Sequence, residues 1–198
     1  MQKIDRDLMT AARFGVVDEV RRLLAQGASP KAQDENGRTA LIAAAYNNQV
    51  DVARILIMAG ADVNTQDATQ QSAYLIATSD GYLELLKTTL AHGANVQSTD
   101  SYNGTGLIRA ADRGHVEIVR ELLKTGIKVN HVNRLGWTAL HEAIILGDGG
   151  TRHTEVVRLL VEAGADVNLP DGRGTPLMHA RRGGYDEIIR ILVEAGAR

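Results

Sequence analysis

The sequence predicts an all-α solenoid of six helix–turn–helix units, stacked in a row and joined by β-hairpin-like loops. Three observations predict it. A glycine closes a recurring segment at Gly27, Gly60, Gly93 and Gly126, each 33 residues after the last, and again at Gly164 and Gly196. A hydroxyl residue followed by small and apolar ones keeps the same period at Thr39, Ser72, Thr105 and Thr138, and recurs at Thr175. Apolar residues fall into two columns, Leu8, Leu41, Tyr74, Leu107, Leu140, Leu177 and Leu23, Leu56, Thr89, Leu122, Leu159, Ile191. A unit of this size cannot bury its apolar face alone, so the columns imply stacking.

Taken in order, the units start near residues 4, 37, 70, 103, 136 and 173 of a single domain, 1–198. The first lacks the hydroxyl marker, turns at Gly15 and ends its second helix at Gly27. The second opens its first helix at Thr39, turns at Asn48 and closes at Gly60. The third runs from Ser72 through Gly81 to Gly93, the fourth from Thr105 through Gly114 to Gly126. The fifth opens at Thr138 and closes at Gly164, and the sixth opens at Thr175 with Pro176 at the first helical position and stops at its second helix. In each case the hydroxyl acts as an N-cap, and the closing glycine suits a left-handed C′ position. Intervening segments such as "ADVNTQDATQQ" alternate only briefly, which predicts hairpin-like loops and not full strands. Thr89 interrupts a leucine column beside Thr88, and no glycine marks the third tip. Residues 70–102 are therefore expected to form the locally weakest unit.

Composition excludes several function classes. A net charge of −2 over 198 residues offers no basic field for nucleic acid or an anionic membrane. No window approaches the ~18 apolar residues of a membrane span, and Met1 to Arg13 lacks the apolar core of a secretory signal. As written, the chain reads as soluble and cytoplasmic. It has no cysteine, which excludes thiol catalysis, thiolate metal sites and disulfides.

Thr138 to Gly164 spans 26 residues, whereas Thr39 to Gly60, Ser72 to Gly93, Thr105 to Gly126 and Thr175 to Gly196 each span 21. With Gly147 matched to Gly114 and His153 to His115, five extra residues lie within 147–152, between two helices. Although "GDGGTR" is glycine-rich, a phosphate cradle calls for a following lysine, and no strand leads into it. A small-ligand or metal site at the Gly147–His153 loop is the competing reading. His141, Glu142, Asp148 and His153 supply suitable ligand types but match no compact ligand motif. The carboxylates recur at the start of second helices, where they favour the dipole. No nucleophile elbow is present. Nothing calls for catalysis or a cofactor.

The runs "TALHEA", "TPLMHA", "RGHVEIVRELLKTGIKVN" and "VVRLLVEAGADVN" closely resemble the ankyrin-repeat family, from about residue 4 to the end. That resemblance implies a partner-binding face built from first helices and hairpin tips. It also gives His141 a structural role in the Thr-x-Leu-His motif, with Ile42, Leu75, Ile108 and Met178 bringing apolar packing at the equivalent positions. Carried onto this sequence, the candidate partner-binding residues are Tyr46, Tyr102, Asp112, Arg113, Arg134, Leu135, Trp137, Ile145, Leu146 and Arg182. Tyr102, Arg134, Leu135 and Trp137 lie on adjoining tips, and aromatic residues and arginine dominate binding hot spots. The plainer alternative packs Trp137 on the next tip and folds Ile145 under the longer loop. The expected function is a non-catalytic protein–protein interaction module, acting as a monomer, one form of which is an inhibitor or immunity-type partner of an enzyme. The runs 98–115 and 132–150 further resemble a group of bacterial, often exported, ankyrin-repeat proteins, which makes the periplasm the alternative compartment.

Overall fold

The computed structural model describes residues 1–198 and contains twelve helices and no strand. Residues Met1–Asn95 and Val96–Arg198 form two compact units, three helix pairs in each. In the first, α1 (Lys3–Phe14), α3 (Ala40–Ala45) and α5 (Ala73–Asp80) stack in one layer, with α2 (Val17–Ala25), α4 (Val50–Met58) and α6 (Leu83–Ala91) in the other. In the second, α7 (Gly106–Asp112), α9 (Ala139–Ile145) and α11 (Pro176–Gly183) stack against one another, as do α8 (Val116–Leu123), α10 (Thr151–Glu162) and α12 (Asp186–Glu194). Both apolar columns are buried throughout, Thr89 included.

Local chemistry accounts for the helix ends. Thr39, Ser72, Thr138 and Thr175 each accept the amide three residues on, satisfying one of the donors a helix start leaves open. Thr105 is the exception: it sits at the N-cap, but its hydroxyl is buried without a partner. At the other ends, Gly27, Gly60, Gly93, Gly164 and Gly196 are left-handed, and the residue after each returns its amide to the helix, as Ala61 does to Leu56. Gly126 departs from expectation and is not left-handed. There Thr125 takes over: its hydroxyl donates to the Leu122 carbonyl at 2.6 Å and accepts from the Ile127 amide at 3.3 Å.

The connecting segments form only two isolated bridges, Thr99 with Thr105 and Asp171 with Gly174. Their order comes instead from an amide ladder invisible to periodicity. Asn64 donates to the Gly93 carbonyl and accepts from the Asn95 amide. Gln97 does the same with Gly126 and Lys128, Asn130 with Gly164 and Asp166, and Asn168 with Gly196 and Arg198. Met178 also departs from expectation. It is 44% exposed.

Within residues 70–102, Thr78, Thr88 and Thr89 are buried and spend their hydroxyls on carbonyls of their own helices. The same segment carries Gln70 at φ 60°, where a side chain costs on the order of 1 kcal/mol. Gln70→Gly is expected to raise stability by about 0.5–1 kcal/mol in a denaturant melt, and amides of α5 and α6 to exchange before those of α3 and α4. Uniform protection, or a destabilised variant, would contradict this.

Candidate partner-binding surface

Each hairpin tip is built on one acceptor. The Oδ1 atoms of Asp34, Asp67, Asp100 and Asn133 take the amides two and four residues on: Asn36 and Arg38, Thr69 and Gln71, Tyr102 and Gly104, Leu135 and Trp137. Asp171 takes those of Arg173 and Gly174 on a tip one residue shorter. Side chains that hold their own loop amides fix turn conformation. What the tips display is therefore held in place.

Adjoining tips are also tied together. The Arg134 amide donates to the Tyr102 carbonyl at 2.9 Å, Asn103 Nδ2 to the Val132 carbonyl at 3.1 Å, and His131 Nε2 to the Asn103 carbonyl at 2.8 Å. Trp137 donates its indole N–H to Asp171 Oδ2 at 2.8 Å, which ties the fifth tip to the sixth. For this residue the plainer reading of the sequence is the structural one. Its ring is half-buried and supports the tips.

The other candidates sort by exposure. Tyr102, Leu135 and Leu146 are 62%, 55% and 51% exposed. Arg113, Arg134 and Arg182 are exposed, with Arg182 donating to the Arg173 carbonyl. Ile145 is half-buried, and so is Asp112, which pairs with Arg109 at 3.9 Å. Tyr46 belongs to the Met1–Asn95 unit. There it is partly exposed under the Arg38 guanidinium, with its hydroxyl 3.5 Å from Asp67.

Beneath the tips lies a set of pairs that sequence reasoning missed. In the Val96–Arg198 unit the fourth residue after each N-cap meets the tip acceptor: Arg109 lies 3.5 Å from Asp100, Asn133 donates to Glu142 at 2.7 Å, and His179 donates to Asp171 at 3.0 Å. The partners match in sign. Where the helix supplies a carboxylate, the tip supplies an amide instead of an aspartate. Glu142 is only 5% exposed, and its pKa is pushed up to about 7, mainly by burial and then by Asp112, against the Asn133 hydrogen bond and Arg109. Asp171 shows the opposite balance: burial raises its pKa, but bonds from the Arg173 amide, His179 and Trp137 outweigh it and hold it at about 2.

The glycine-rich loop is filled by the protein itself. A Cβ on Gly147 would overlap the Ala143 carbonyl and the His153 ring, and one on left-handed Gly149 would overlap Tyr185. The Tyr185 hydroxyl donates to the Gly147 carbonyl at 2.9 Å, and His153 bridges Asp148 and the Asp112 carbonyl at 3.0 Å each. Part of the added length is helical, since α10 begins at Thr151, two residues before His153. Close packing, and not a cradle, accounts for these glycines. The four residues of the metal reading have separate partners: His141 caps with Thr138, Glu142 binds Asn133, and only Asp148 and His153 meet. No group of three such side chains converges anywhere in the structure.

Comparison with known proteins agrees with this architecture. A family model of ankyrin repeats matches residues 6–67, 74–171 and 150–198. An ankyrin repeat domain from Acinetobacter baumannii AYE superposes with a TM-score of 0.93 at 51% identity, covering 96% of this chain and 98% of that one. The ankyrin repeat protein EF0377 gives 0.91 at 34% identity, covering 98% and 99%. The ankyrin repeat domain of human ASB11 gives 0.83 at 26%, covering 96% and 84%. The ankyrin repeat protein YahD of Escherichia coli (strain K12) is 46% identical over 69 residues, a match that spans 34% of each chain.

Proposed function

Because the chain belongs to the ankyrin-repeat family, we propose that it is a non-catalytic protein-binding module whose partner docks on the first-helix and tip surface of the Val96–Arg198 unit, as an inhibitor or immunity-type partner of an enzyme. One observation carries the reading. Tyr102, Leu135 and Leu146 are each more than half exposed, the first two on tips whose amides are taken up by Asp100 and Asn133. Large apolar side chains on rigid, already-bonded backbone contribute contact area with little ordering cost. Arg113, Arg134 and Arg182 frame them with charge suited to carboxylates. Asp112, Ile145 and Trp137 support this surface from below, the last through Asp171.

The test is affinity capture from cytoplasmic and periplasmic extracts of the host, comparing the wild type with Tyr102→Ala/Arg134→Ala/Leu135→Ala. Trp137 stays intact so that the tips keep their tie. A partner enzyme retained by the wild type, lost by the variant and inhibited by the purified protein is the expected result, and the extract that yields it fixes the compartment. Equal capture by both proteins would remove the surface from consideration.

A further inference from the structure

The Met1–Asn95 unit contains a groove of about 670 Å³ between α1, the first hairpin tip and the end of α3, within the size range of ligand clefts. Its floor is mixed, with Met9 and Tyr46 contributing apolar surface. Three guanidinium groups reach it, from Arg6, Arg13 and Arg38, against the carboxylates of Asp34 and Glu35. Asp34 is already committed, since its Oδ1 holds the Asn36 and Arg38 amides. Arg6 donates to the Met1 carbonyl and Arg13 lies over the Phe14 ring, neither having a carboxylate partner. Arg38 stacks on Tyr46 and reaches only Asp67, at 3.7 Å. In a chain whose net charge is −2, this groove gathers three guanidinium groups, two of them without a carboxylate partner.

The geometry points to an acidic linear segment of a partner protein as the occupant, held by carboxylates on Arg6 and Arg13 with an apolar side chain between them on Met9 and Tyr46. Guanidinium forks match carboxylates in a bidentate way that an ammonium cannot, and clustered arginines are a recurring means of reading acidic peptides. Spacing sharpens the assignment. Arg6 and Arg13 are seven residues apart on one helix, about 10.5 Å along its axis, and a segment in the polyproline II conformation, with three residues per turn and a rise of about 3.1 Å, returns to the same face after about 9.3 Å. The matching segment therefore carries acids three positions apart. Asp34 and Glu35 on the opposite wall disfavour the unbroken charge of a phosphate backbone.

This inference rests on the reading that the chain binds protein, but it concerns a different surface, so the two fail separately. The experiment is fluorescence anisotropy on the whole chain with a labelled eight-residue peptide carrying two glutamates three positions apart around a phenylalanine. Its glutamine counterpart, a version with adjacent glutamates, and a single-stranded oligonucleotide are measured alongside. The expected result is binding at least tenfold tighter for the spaced glutamates than for either other peptide, weakened by salt, and lost in Arg6→Gln/Arg13→Gln with an unchanged melting temperature. Binding that survives in that variant, equal binding of the glutamine peptide, preference for the oligonucleotide, or no binding at all would overturn the assignment. Tyr102→Ala/Arg134→Ala/Leu135→Ala should bind the peptide normally. Partner capture that depends on those tip residues would stand even if the groove binds nothing.

Discussion

Replacing Asn133 by aspartate is expected to destabilise the protein by about 3 kcal/mol at pH 7, a large loss for a change of one atom. The tip itself should survive, because an aspartate Oδ1 would still accept the Leu135 and Trp137 amides. What fails is the other end of the side chain. Asn133 Nδ2 donates to Glu142 Oε1 at 2.7 Å, and an oxygen there would set two carboxylates against each other in a nearly dry site. One must then take up a proton, which costs more as the pH rises. Urea melts should show most of the stability returning at pH 5. Adding Glu142→Gln should restore it at pH 7 by replacing a carboxylate with a donor. A loss under about 0.5 kcal/mol, or a double variant no better than the single one, would contradict this account of the pair.

Glu142 should also govern the alkaline side of the stability profile. Its folded pKa of about 7 lies above the ordinary 4.5, so folding favours the protonated acid. The contribution is fully favourable below pH 4.5 and is lost as the pH rises through 7. At 1.36 kcal/mol per pKa unit, a shift of 7 − 4.5 sets a ceiling of about 3.4 kcal/mol, and partial solvation brings the expected loss to about 2. Asp171 acts with the opposite sign. Held at about 2, it stabilises above the ordinary carboxylate range and that contribution is lost as the pH falls through 2. On these two groups maximum stability should therefore lie at about pH 4, above the window in which the Asp171 contribution is lost and below that in which the Glu142 contribution is lost. Glu142→Gln should flatten the decline between pH 5 and 8.5 in thermal melts. A wild type as stable at pH 8.5 as at pH 5 would rule out this role.

These pairs show where sequence reading reaches and where it stops. The N-cap hydroxyls, five of the six closing glycines and both buried columns depend on chemistry within a turn or on a fixed period, and the sequence carries both. Gly126 was misread because Thr125 supplies by side chain the cap that a left-handed glycine supplies elsewhere. The tip acceptors were legible and overlooked: Asp34, Asp67, Asp100 and Asn133 recur every 33 residues, each with a left-handed residue three positions on. The pairing of Asn133 with Glu142 could then have been inferred, since a lone amide in a row of aspartates sits nine residues before a lone glutamate in its own column. Trp137 is a different matter. Whether its indole faces solvent depends on Asp171, 34 residues away on a tip of different length. The glycine loop likewise could not be resolved without knowing that Tyr185 and His153 fill it.

The amide ladder has a bearing on how such a chain can change over evolutionary time. Its four rungs join residues 29, 29, 34 and 28 positions apart, yet each rung has the same two bonds. Contour length between the partners of a rung is thus free to vary while its pair of bonds is kept. Five residues were gained between α9 and α10, and one was lost at the Asp171 tip, both off the rungs. Insertions and deletions at inter-helix turns and hairpin tips should accumulate among descendants of this gene, whereas the few residues between a closing glycine and the next rung should keep their number.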